Sequence, residues 1–382
     1  MISIIFTYVL YYTEVSVVER RENMNQRLTV VLFLILVIVS TVIGSREWRE
    51  RADPPGELSL SNYSGEGGDE RESISVISES IEPPKASSSS SLQHLIGKTG
   101  REIENEFGKA ERKDPTPYGY TWWIYSTSVN YYQIGIENDE VVAAFGIGPS
   151  LDLDTIKIGQ SRKEIEEKLT LEKEVEIKTE EGSFLFTLTE EDFKQRPLSK
   201  MNDSEVIQLY FDESTNQLSS VRVMNNKILL LHRPYDVSYT GQLPELPLLL
   251  ESEWKEIEKG TEQQIYAISN QLRSRFGVDK LVWDELTAGV AYQHSKDMAE
   301  RNYFSHISLS GEGLKERLKK GDIQYASAGE NIAAQYPDGP AVVEGWLNSE
   351  GHREALLNEG YTHLGVGVYR YYYTQNFLEE PY

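Results

Sequence analysis

The chain contains no cysteine among its 382 residues. That excludes disulfide bridges, thiolate nucleophiles and cysteine-based zinc sites. Basic residues are outnumbered, with 38 Lys and Arg against 61 Asp and Glu and a formal net charge of −23. Nucleic-acid binding depends on neutralising phosphates with Lys and Arg, so nucleic acid is not an expected partner. The same charge opposes electrostatic adhesion to anionic lipid and suits a soluble, solvated exterior. Neither G-x-S-x-G nor H-E-x-x-H occurs, so the familiar serine-hydrolase and zinc-peptidase signatures are missing.

Long apolar runs are also scarce. The clearest, Leu28–Gly44, carries no charge and sits at the short end of the ~17–25 residues that cross a bilayer. Arg20, Arg21 and Arg27 precede it, which predicts a cytoplasmic N-terminus over residues 1–27 and a single-pass anchor over 28–44. Cleavage as a signal segment, giving a secreted protein, is the alternative; Val42-x-Gly44 is a poor match to the small-residue cleavage pattern. Met24 is a second candidate start. Residues 45–92 are polar, with Pro54-Pro55, Pro83-Pro84 and a serine run at Ser87–Ser91. Such a composition cannot bury a core and predicts a disordered stalk.

Residues 93–235 contain an internal repeat. Ile96-Gly97-Lys98-Thr99 before Glu102-Ile103-Glu104 returns as Ile158-Gly159-Gln160-Ser161 before Glu164-Ile165-Glu166. Each copy predicts a turn, a Ser/Thr cap and an amphipathic helix, with Ile103 and Phe107, or Ile165 and Leu169, at i,i+4 spacing. Strand-like runs follow, Thr121–Tyr125, Tyr131–Glu137 and Val141–Ile147 in the first copy, Phe184–Thr189, Val206–Phe211 and Leu218–Val223 in the second. Repeated helix-plus-strands units are expected to pair their sheets. Trp122-Trp123 and Tyr131-Tyr132 suggest a sugar-stacking platform, but strand alternation points one of each pair into the core. A Pro-rich linker, residues 236–252 with Pro244 and Pro247, predicts that the domain over 253–382 folds alone.

That last domain carries four polar motifs: His294–Ala299 (HSKDMA), Phe304–His306 (FSH), Gly329–Ala333 (GENIA) and Trp346–Arg353 (WLNSEGHR). His and Glu set among apolar helix and strand signals predict a polar cleft, because such groups are rarely buried without partners. Helices are expected over Glu262–Phe276, Leu286–Asn302 and Ala341–Leu347. A β-hairpin is expected over Leu364–Tyr369 and Tyr371–Phe377.

The motif order, together with Trp283–Leu286 (WDEL), His363–Gly367 (HLGVG) and Tyr372–Phe377 (YYTQNF), resembles the CAP superfamily (SCP/TAPS; cysteine-rich secretory, antigen 5 and pathogenesis-related proteins). The stretch before it resembles the CAP-associated N-terminal domain of bacterial members. The resemblance implies an α+β protein whose C-terminal domain is an α-β-α sandwich with a cleft of two His and two acidic residues. By the same resemblance His306, Glu330 and His352 match cleft positions, and Glu350 is the candidate for the fourth. The missing cysteines depart from the disulfide-stapled animal and plant members and point to a Gram-positive cell envelope.

Three chemistries stay open for these residues. Two imidazoles, His306 and His352, could hold Zn²⁺. A His–Glu pair could perform general acid–base work, with Ser305, Ser308 or Ser349 nearby. A fully satisfied polar network could simply fix the core. The expected function is a surface binding module for a small ligand, peptide, glycan or lipid, requiring no cofactor; the alternative is a metal-assisted extracellular hydrolase. His294 is expected to be a partly buried core histidine, His363 a strand cap, and His94 and His232 domain-edge residues.

Overall fold

The computed structural model describes Ser91–Pro381. The expected cytoplasmic segment, membrane anchor and most of the stalk lie outside the described residues. Among those described, no helix is long and apolar enough to cross a membrane.

The N-terminal lobe begins with α1 (Gly100–Phe107) and the strands β1 (Arg112–Pro115), β2 (Thr121–Ser126), β3 (Tyr131–Glu137) and β4 (Glu140–Ile147). The second copy holds α2 (Arg162–Glu166), the hairpin β5 (Glu174–Thr179) and β6 (Gly182–Thr187), α3 (Glu190–Gln195), β7 (Leu198–Lys200), β8 (Glu205–Asp212) and β9 (Gln217–Asn225). The repeat is visible in detail. Thr99 and Glu102 form a reciprocal capping box on α1, and Ser161 and Glu164 form the equivalent box on α2. The copies join through β4 and β9 in a seven-stranded antiparallel sheet, ordered β1-β2-β3-β4-β9-β8-β7. Ile103 and Ile165 bury against one face of this sheet. The aromatic pairs are core residues: Trp122, Tyr131 and Tyr132 are buried, and Lys113 stacks on the Trp123 ring.

The chain then forms α4 (Asn226–His232) and β10 (Asp236–Gly241). The expected linker is therefore partly a strand, paired along its whole length with β6. Val237 and Tyr239 supply the alternation that the flanking prolines obscured.

The C-terminal lobe contains α5 (Glu251–Arg275), β11 (Val282–Trp283), α6 (Glu285–Glu300), α7 (Leu314–Lys320), β12 (Ser327–Ala334), α8 (Gly339–Leu347), α9 (Glu350–Leu356), β13 (His363–Tyr369) and β14 (Tyr372–Glu379). Its sheet runs β11-β13-β14-β12. Gly365 and Gly367 explain how α6 lies on one face. A Cβ at Gly367 would stand 1.8 Å from the Tyr292 amide nitrogen, and one at Gly365 would stand 2.2 Å from that of Ala288. Leu364, Val366 and Val368 alternate to the opposite face and join Ile265, Ile268, Leu272 and Trp346 in a core supplied by α5 and α8. The result is a helix-sheet-helix sandwich.

The two lobes are not beads on a tether. Tyr118, Trp122, Met224 and Leu229 belong to the same hydrophobic cluster as Ile265, Val342 and Trp346. Across the boundary Arg222 donates to both carboxylate oxygens of Asp338 at 2.7 Å, and Gln264 donates to Asp114 at 2.9 Å. His232, expected at an edge, is buried in this seam, with Nε2 3.0 Å from the Tyr120 hydroxyl. The expectation that residues 253–382 fold alone meets a boundary that is a core rather than a surface; apolar faces on both sides would be exposed by separation.

Candidate functional site: a His–Glu–Arg cleft

Glu330 is the centre of the site. It lies on β12, opposite Asn376 of β14, with a side chain only 4% exposed. His306 Nδ1 stands 2.9 Å from its Oε1, and Arg317 Nη2 donates to its Oε2 at 2.5 Å. Burial alone would push this carboxyl up, but the His306 hydrogen bond and the Arg317 charge prevail and hold it below the ordinary range. Glu330 is thus an ionised carboxylate at neutral pH, with both oxygens engaged.

His306 sits in the loop after α6, its side chain about half exposed. Arg317, from α7, secures that loop by donating Nη1 to the carbonyls of His306 (2.9 Å) and Glu312 (3.0 Å). Leu314, Arg317 and Leu318 share one face of α7, which sets the guanidinium inward. Arg317 was not legible as a site residue because α7 reads as an ordinary basic amphipathic helix. The i,i+3 spacing from Leu314 was the available signal.

His294 also belongs here. It is buried, as expected of a core histidine, but its Nε2 contacts the Ser305 carbonyl at 3.1 Å and lies 4.0 Å from Glu330 Oε1. Burial depresses its pKa against the opposing pull of Glu330.

His352 enters from α9. Its Nδ1 is 2.8 Å from Ser349 Oγ, the hydroxyl of the helix's N-cap residue, and its carbonyl accepts from Asn331 at 3.0 Å. Burial first, and the neighbouring His306 second, lower its pKa. Glu350 does not join them. It is exposed in the first turn of α9, where a carboxylate favours the helix N-terminus. The WLNSEGHR motif is largely structural: Trp346 Nε1 donates to the Ile332 carbonyl at 3.2 Å, and Arg353 pairs with Asp212 at 2.8 Å. Of the candidate nucleophiles, Ser305 caps the Ile307 amide and Ser308 is engaged with Ser310 and Glu312.

The donor set does not make a closed metal site. Among the described residues no group of three or more His, Asp or Glu is arranged to hold a metal ion. Glu330 has spent both oxygens, which leaves only imidazole nitrogens.

Family comparisons agree with this architecture. The family model for the CAP-associated N-terminal domain matches residues 96–235, and that for the cysteine-rich secretory protein family matches residues 266–379. The membrane protein YlbC of Bacillus subtilis (strain 168), described as uncharacterized, is 44% identical over 291 residues, covering 76% of this chain and 84% of YlbC. The chain belongs to the CAP family. An extracellular SCP-domain protein from Bacillus anthracis has 39% identity and a TM-score of 0.73, covering 80% of this chain and all of that one. A cysteine-rich secretory protein from Staphylococcus aureus has 25% identity and a TM-score of 0.67, covering 76% and 98%. The share of this chain covered by these two solved proteins takes in residues of both domains.

Proposed function

We propose that this CAP protein is a bacterial cell-surface binding module whose cleft, bordered by His306, Glu330 and His352, takes a peptide or glycan of the envelope without turning it over. The observation that carries this reading is the state of Glu330: buried, ionised, and engaged by His306 on one oxygen and Arg317 on the other. A carboxylate so committed orients His306 and is not free to accept a proton from a nucleophile. The names of its relatives, a membrane protein and an extracellular protein, support a place in the envelope. The apolar run Leu28–Gly44 is the proposed single-pass anchor; protease added to protoplasts should then remove the folded domains.

A hydrolytic reading draws on one contact, Ser349 Oγ to His352 Nδ1 at 2.8 Å. Glu330 is hydrogen-bonded to the other ring, His306, so base and acid would be split between two histidines. Zn²⁺ binding is proposed only as a two-histidine interaction at His306 and His352; calorimetry at neutral pH should find it weak, and lost when both become Ala.

Thermal shift against envelope peptides and glycans tests the binding reading. A ligand should raise the melting temperature of the wild type and not of the His306→Ala/His352→Ala variant. Equal shifts in both proteins would contradict it.

A further inference from the structure

The segment that carries His352 is held from both sides by the other lobe. On its N-terminal side, Asn348 Nδ2 donates to the Phe211 carbonyl at 2.8 Å, and the Glu213 amide donates to Asn348 Oδ1 at 2.9 Å. On its C-terminal side, Arg353 Nη1 and Nη2 donate to the two oxygens of Asp212 at 2.8 and 3.0 Å. Asp212 is fully buried and is itself fixed by the Ser214 amide and the Thr215 hydroxyl. Three consecutive residues at the end of β8, Phe211 to Glu213, thus bracket Ser349–His352. A bidentate Arg–carboxylate pair constrains direction as well as distance. One turn earlier in α8, Glu344 accepts from Ser219 and Ser220 of β9. Within the bracketed segment Ser349 Oγ meets His352 Nδ1 at 2.8 Å, and the His352 carbonyl accepts from Asn331, so the ring follows the segment that the other lobe holds.

We infer that the CAP-associated N-terminal domain positions the cleft: by gripping Asn348 and Arg353 across the boundary, the end of β8 sets the orientation of the His352 ring, making the two domains one functional unit. The consequence for ligand capture rests on the binding reading above, but the positioning itself does not. It explains a pairing that a tethered accessory domain would not require. Displacement of β8, by a partner on the N-terminal domain, would be transmitted to His352 and leave His306 in place, because His306 is held by Glu330 and Arg317 within its own lobe.

The test reads the two histidines separately. The full chain is treated with diethyl pyrocarbonate, which modifies neutral accessible imidazole, and the rates of modification at His306 and His352 are followed by peptide mass spectrometry at one fixed pH of about 7.5, where the reagent meets neutral imidazole. Two variants are compared with the wild type. Asn348→Ala removes two cross-boundary hydrogen bonds without burying a charge, and Asp212→Asn keeps the side-chain shape but weakens the pair. The expected result is a His352 modification rate raised about threefold or more as its ring loses its fixed setting, with the His306 rate unchanged. If Asp212→Asn does not fold, Asn348→Ala decides. An unchanged His352 rate in folded Asn348→Ala, or equal changes at both rings, would overturn the inference. No ligand enters this assay, so its failure leaves the binding reading standing, and failure to find a ligand leaves the positioning standing.

Discussion

Glu344 should make the lobe boundary sensitive to pH in an unusual direction. It lies on α8, only 2% exposed, with Oε1 accepting from the Ser219 and Ser220 hydroxyls at 3.0 and 2.5 Å. Burial raises its pKa from the ordinary 4.5 to about 7, against the two serine hydrogen bonds and the Arg275 charge, with Asp212 pushing the same way as burial. A carboxyl with a raised folded pKa stabilises the fold most when protonated in both states. Its contribution is complete below pH 4.5, declines as pH rises, and is lost once pH passes about 7. The shift corresponds to a cost on the order of 3 kcal/mol at pH 8. Glu344→Gln keeps an acceptor oxygen for both serines and cannot ionise. Urea unfolding of wild type and variant should therefore give similar stabilities near about pH 4.5 and a gap that widens through neutrality, the variant being more stable at pH 8 by up to about 3 kcal/mol. The difference between the proteins isolates Glu344 from other titrating groups. A gap that stays flat with pH, or a variant less stable at pH 8, would mean that Glu344 does not titrate with a raised pKa in the folded protein.

His232 predicts the opposite slope in acid. Burial, then Arg222, lower its pKa to about 3 against the pull of Asp338, so the stability it permits is present above pH 6.5 and is lost as pH falls toward 3, on the order of 5 kcal/mol. His232→Gln should flatten the acid limb of stability measured against pH. Arg317→Met should strand the buried Glu330 charge and cost about 3–5 kcal/mol in denaturant unfolding, with the Glu330 carboxyl titrating higher by ¹³C NMR. Gly367→Ala should lower the melting temperature sharply, at a cost of about 3 kcal/mol or more, because its Cβ would overlap the α6 backbone. A cost below 1 kcal/mol would mean that α6 can slide on β13.

Local devices were legible in the sequence. The two capping boxes need only residues three apart, and the β13–β14 hairpin announces itself by alternation. His306 and Glu330 could be placed together because their motifs are specific to the family. The boundary was illegible for a physical reason. Arg222 sits in β9 between Val221 and Val223, in the alternation of a strand with one wet face. Both faces of that sheet are in fact buried, and Arg222, Asp212 and Glu344, which no motif singled out, are cross-lobe contacts. Glu350 failed for the converse reason: its position in the motif suggested a cleft acid, and the helix start turned it outward.

A cleft that binds without turnover holds its ligand intact. Native mass spectrometry of the full chain, incubated with a digest of bacterial cell-wall glycopeptides, tests it most directly. Unmodified fragments should stay bound to the wild type and be absent from the His306→Ala/His352→Ala variant, with the unbound digest unchanged over time. Accumulation of cleaved fragments with the wild type, lost in the variant, would contradict it.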